Sequence, residues 1–155
     1  MGRAVWEREL EFLRRNLHRY LEHWPAGQEG WRPAASAYPL LGLAEHLYGS
    51  PAWYMDVVEG GNGETGLQVE GEGPAATEAL GAALDAGMAR VQRMLDETPE
   101  DAFAARRVPW PFGDPMTAEG VVLSLVTHMY HHRGQMHLYL KQLGRPVDTD
   151  TVYGS

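Results

Sequence analysis

Two histidines four residues apart, His128 and His132, sit in an apolar run from Val121 to Leu143 that reads as one helix. A helical residue turns by about 100°, so the pair lies one turn apart on the side that also carries Val121, Leu125, Met136, Tyr139 and Leu143. Both imidazoles are therefore expected to point at the core. Each neutral ring carries one donor and one acceptor that need partners. The pair either binds a metal ion or hydrogen-bonds within itself and to a neighbour. A third histidine, His46, stands on an earlier apolar stripe between Leu43 and Leu47. An i,i+4 pair with one histidine from a facing helix makes a three-nitrogen set, the arrangement of a catalytic divalent ion with positions open to water or substrate. The chain has no cysteine, so it has neither a fourth thiolate to close a structural zinc site nor a nucleophilic thiol of its own.

Residues near these three are candidates for the same site. Ser50 and Trp53 follow His46 by one and two turns, and Gln135 lies one turn beyond His132. Gln135 would either orient a ligand or substrate, or bond another helix. Tyr139, Trp110 and Phe112 would line the site or fill plain core. His131 is an extra histidine beside the pair, expected on the surface or behind a ligand rather than as one. His137 points away and should be exposed or at an interface. Arg133 is expected to anchor a loop or a dimer partner by ion pairing.

Four helical elements must position these residues. A stripe of Trp6, Leu10, Leu13, Leu17, Leu21 and Trp24 predicts a first helix over about Val5 to Trp24, ended by Pro25. The second is predicted from Pro39 to Glu59, with Pro51 marking a kink or a break and restart. The third runs from Pro74 to Thr98, and its many alanines and glycines imply a close helix–helix approach or a dimer face. Thr117 is a good N-cap for the last helix, and Gly144 and Pro146 stop it near Leu143. The polar tail from Val147 should lie on the surface or fray. No strand pattern competes, so the fold class is all-α, a four-helix bundle forming a single domain over residues 1–155.

Two connections stand out. Gly60 to Gly73 is glycine-rich and acidic, and longer than a link between antiparallel neighbours requires. It can span the roughly 30 Å of a twenty-residue helix, which would let helices two and three run parallel; the alternative is a flexible surface loop. Glu100 to Met116 holds the rigid stretch Trp110-Pro111-Phe112, expected to pack over one end of the bundle, as the mouth of a site or as a cap on the core.

Composition excludes several functions. A formal net charge of −8 repels phosphate backbones and anionic membranes, so neither nucleic acid nor membrane is an expected partner. No apolar run reaches spanning length, and the start from Met1 to Trp6 lacks the apolar region of a secretory signal, so a cytoplasmic protein is expected.

The stretch His128-x-x-x-His132-Arg133-Gly134-Gln135, with Leu143-Gly144 after it, resembles the last-helix signature of the DinB-like superfamily, which includes the YfiT-type proteins. The stretch from Leu43 to Leu47 with Trp53 downstream resembles that family's second-helix motif, and Trp31-Arg32-Pro33 is a similar lead-in. The resemblance implies an up-down-down-up bundle with a long helix 2–helix 3 connection, a divalent metal such as zinc or nickel on His46, His128 and His132, and a homodimer. It also implies a metal-dependent transferase or isomerase that uses a low-molecular-weight thiol of the bacillithiol, mycothiol or glutathione type. An ion with open positions favours the thiolate, which would attack an electrophilic small molecule. No carboxylate has a claim as general base, so a water or thiol on the ion would serve. The alternative is a non-catalytic metal- or ligand-binding stress-response protein of the same fold.

Overall fold

The computed structural model describes residues 2–61, 63 and 66–154; parts of the 60–73 connection, at positions 62, 64 and 65, and the last residue of the tail lie outside them. The elements are α1 (Arg3–Glu22), α2 (Leu40–Val58), α3 (Pro74–Glu97), α4 (Glu100–Phe103), β1 (Arg107–Val108), β2 (Met116–Thr117), α5 (Ala118–Gln142) and α6 (Thr149–Tyr153). The four long helices arise where the apolar stripes predict them, to within two residues at each end. Leu13, Leu17, Leu43, Leu47, Leu80, Leu84, Leu125 and Met129 are among the fully enclosed side chains they share.

Helix directions follow from which residues meet. Gln92 bonds Glu7 while Arg14 pairs with Asp85, so α1 and α3 run antiparallel. Gly87 lies against Pro51 and Ala52, and Arg90 reaches Asp56 and Glu59, so α2 and α3 run parallel. Tyr54 meets Ser124 and His46 meets His132, so α2 and α5 are antiparallel. The result is an up-down-down-up bundle in which the 60–73 connection returns along the length of α2. The small residues of α3 serve the close approach: a Cβ on Gly87 would stand 2.8 Å from the Ala52 nitrogen.

Several local features differ from expectation. Helix α2 passes through Pro51 as one α-helix rather than breaking, with the proline ring buried against α3. Pro39 is the extended N-cap residue, just outside the first turn. A two-strand antiparallel ladder, Arg107 with Thr117 and Val108 with Met116, ties the second connection to the start of α5. Its two-residue strands are too short to show any alternation. The tail is not frayed. Asp148 caps α6 in a reciprocal pair with Thr151, and the buried Asn16 donates to the Thr151 and Val152 carbonyls at 2.8 Å each. Helix α5 ends as predicted: Gly144 has φ of 71°, Arg145 N–H bonds the Leu140 carbonyl, and Gly144 N–H bonds that of Lys141. Among the described residues no helix is long and apolar enough to cross a membrane.

Candidate metal centre

Antiparallel packing of α2 on α5 brings His46 opposite the His128–His132 turn. The Nε2 atoms of His46 and His132 are 3.1 Å apart. Ring centroids are separated by 4.5 Å for His46–His132, 4.5 Å for His128–His132 and 4.8 Å for His46–His128. One ring nitrogen from each residue lies within 4.8 Å of the others. The rings are not enclosed in the core, contrary to the face assigned from the helical wheel: His46 is exposed, and His128 and His132 are half-buried. The core side of α5 is instead carried by Val121, Val122, Leu125, Val126, Met129 and Met136. The histidines sit at the edge of that stripe, where the α2–α5 groove opens.

His132 Nδ1 stands 2.7 Å from Gln135 Oε1, so that nitrogen carries the hydrogen and Nε2 presents its lone pair to the cluster. Gln135 thus orients a ring within its own helix rather than bonding a neighbouring one. Desolvation, and then the proximity of His132 and His46, lowers the His128 pKa from the ordinary 6.5 to about 4. Burial also lowers His46 and His132, with His132 adding to the effect on His46. Three neutral imidazoles are the protonation state a cation requires.

The donor set fits a divalent ion. Two imidazoles sharing an ion at about 2.0–2.1 Å stand about 3.3 Å apart, nitrogen to nitrogen, in a tetrahedral set. The His46–His132 separation of 3.1 Å is close to that. Three neutral nitrogens with no protein thiolate leave coordination positions open.

A cavity of about 400 Å³ adjoins the cluster, with His46 and His128 in its lining. Ser50 and Trp53, both expected there, line it; Ser50 donates to the His46 carbonyl oxygen at 2.6 Å. Phe112 lines it as well and is 75% exposed, stacked 12° from parallel on Trp53 at 5.9 Å. Trp110 meets Trp53 edge-on at 6.2 Å. The second connection therefore forms the mouth of the site. Sequence reasoning missed the opposite wall, which Leu67 supplies by lying on Gly49, where a Cβ would approach its own to 2.6 Å. Glu45 anchors that wall by accepting from the Val69 N–H at 2.7 Å. The available signal was Leu67 and Val69 themselves, the only large apolar residues of that loop. Tyr38, also missed, lies 10° from parallel to His46 at 6.0 Å.

Other candidates fall elsewhere. Tyr139 packs edge-on against Trp31 at 5.4 Å and donates to the Tyr38 carbonyl, outside the cavity. His131 is exposed, its ring 4.8 Å from that of His132. His137 is half-buried, with Nδ1 3.1 Å from the Tyr20 hydroxyl. Arg133 stacks over Tyr130 and Phe12, at 5.0 and 5.8 Å.

With this geometry in hand, a sequence model of the DinB superfamily matches residues 9–136. No curated protein matches the chain. Among solved structures, a protein assigned to the DinB family from Exiguobacterium sibiricum 255-15 superposes with a TM-score of 0.70 at 18% identity, covering 96% of each chain. A DinB-like protein from Bacillus cereus ATCC 10987 gives 0.69 at 20% identity, over 94% of this chain and 92% of that one. Another, from Bacillus subtilis, gives 0.65 at 17% identity over 89% and 92%.

Proposed function

The chain belongs to the DinB superfamily, and from that premise we propose a divalent-metal-dependent transferase. It activates a low-molecular-weight thiol, of the bacillithiol, mycothiol or glutathione type, for attack on an electrophilic small molecule. The observation that carries this reading is the three-imidazole cluster His46, His128 and His132 beside an apolar cavity, in a chain with no thiol of its own. An ion held by those nitrogens would supply Lewis acidity that favours the thiolate of a bound thiol at neutral pH.

The chain's own residues do the rest. Gln135 holds His132 in the tautomer that presents Nε2. Partial desolvation lowers all three ring pKa values, which favours the neutral rings. The walls from Trp53, Phe112 and Leu67 hold the electrophile next to the cluster. The thiol proton passes to solvent, a sulfur–carbon bond forms, and the leaving group departs with its electron pair. The active form is proposed to be a homodimer, as the family resemblance implies, and sedimentation would report it.

The test is metal quantification on wild type and on His46→Ala, followed by a panel of thiols against 1-chloro-2,4-dinitrobenzene. The expected result is about one divalent ion per chain, its loss in the variant, and ion-dependent consumption of one thiol class. Protein that holds no ion, and takes up none of Zn²⁺, Ni²⁺ or Mn²⁺, overturns the proposal. Ion binding without turnover of any thiol leaves the non-catalytic binding protein.

A further inference from the structure

The cavity beside the histidines has a chemical character of its own. Its walls are aromatic and aliphatic, with Trp53, Tyr54, Phe112 and Leu67 among the lining residues. Among its described lining residues the one formally charged side chain is Glu45, and no lysine or arginine lines it. The indole of Trp53 is fixed in place. Its Nε1–H donates to the Gly63 carbonyl, and Gly63, at φ of 66°, packs against its ring. Phe112 lies nearly parallel to that indole and meets Trp110 edge-to-face at 5.8 Å, yet is 75% exposed, so most of its ring is open to solvent. An exposed phenyl held parallel to an immobilised indole continues a stack, and a flat π-system is what extends it. At about 400 Å³ the volume lies in the range of small-molecule sites, roughly 300–1,000 Å³.

We propose that the electrophile accepted by this protein is a flat, aromatic molecule, held against the Trp53–Phe112 pair beside the histidine cluster. This rests on the transferase reading for the word electrophile; the preference of the cavity is a binding property that stands apart from turnover.

The experiment is calorimetric titration of Zn²⁺-loaded protein with two probes that share an amide: 2-naphthamide and cyclohexanecarboxamide. The expected result is saturable binding of 2-naphthamide, with the cyclohexane at least tenfold weaker. Phe112→Ala should weaken 2-naphthamide about tenfold, and Phe112→Tyr should restore it. The side chain is mostly in solvent, so neither variant endangers the fold, which circular dichroism confirms. Equal binding of the saturated ring, or an unchanged affinity in Phe112→Ala, overturns the proposal. Failure of the transferase reading looks different: 2-naphthamide still binds, but no thiol is consumed with any electrophile.

Discussion

Two clusters of polar side chains, at opposite ends of the scale of completeness, divide this bundle. Glu29 is 6% exposed, yet its side chain accepts from Trp24 Nε1 at 3.1 Å and from the Gly73 N–H at 2.7 Å, while its carbonyl accepts from Leu41. That knot ties the end of α1 and the start of α2 to the start of α3 and needs nothing from outside. In the histidine cluster, His132 bonds Gln135 on one nitrogen, and on the other side the rings face one another. Without an ion, one of the facing Nε2 atoms must carry a hydrogen for that contact to be favourable. A polar group completed by its own chain is part of the fold. A group whose ring nitrogens face one another can be completed by one shared hydrogen or, as proposed, by an ion.

Breaking each cluster should separate these roles. The largest effect is expected for His128→Ala: metal affinity falls by about a thousandfold or more, while the melting temperature of the metal-free protein holds or rises, because a desolvated imidazole is gone. Metal quantification with thermal melts in EDTA checks both, and a large loss of metal-free stability would erase the distinction. Glu29→Ala should do the reverse. Two buried N–H donors lose their acceptor, at a cost of about 3 kcal/mol in chemical denaturation, with metal content unchanged. Gln135→Ala should weaken the metal about ten- to a hundredfold, by freeing the His132 tautomer, with stability within ~0.5 kcal/mol. Competition against a chromophoric chelator measures it.

Acid should sharpen the contrast more gently. The folded His128 pKa, about 4, lies below the ordinary 6.5, so between those values the unfolded chain binds a proton that the folded chain refuses. Metal-free protein therefore loses stability as pH falls from 6.5 towards 4, and His128→Ala reduces that slope, the lowered His46 and His132 keeping the rest. Glu29 is also lowered: burial opposes its ionisation, but hydrogen bonds from Gly73, its own N–H, Trp24 and Gly27 outweigh it. Its contribution is complete above the ordinary 4.5 and is lost only as pH falls through the lower folded value. Melting temperature against pH should show the two windows in that order.

How much of this was legible in the sequence depends on the length of each signal. The four long helices were readable because each repeats its apolar stripe over several turns, and because Thr117 and Gly144 have the chemistry of caps. The meeting of His46 with His128 and His132 was readable from their stripes and spacing. Their exposure was not. A helical wheel gives the face of a helix, while the place where two helices diverge enough to admit solvent is set by neighbours such as Phe112 and Leu67. The β1–β2 ladder and α6 were invisible because two and five residues carry no periodicity. Their order comes from distant partners, Asn16 above all. Glu29 likewise looked like an ordinary connection residue, since its partners lie 5 and 44 positions away.

The long connection that returns along α2 has one more consequence. The three histidines are fixed on packed helices, whereas Leu67 and Phe112, which shape what may lie beside them, belong to connections. Connecting segments accept substitution and changes of length far more readily than packed helices do. The part of this molecule that would hold an ion and the part that would choose its companion can therefore drift independently, so descendants of one ancestral bundle could retain the same reactive centre while diversifying in what they act upon.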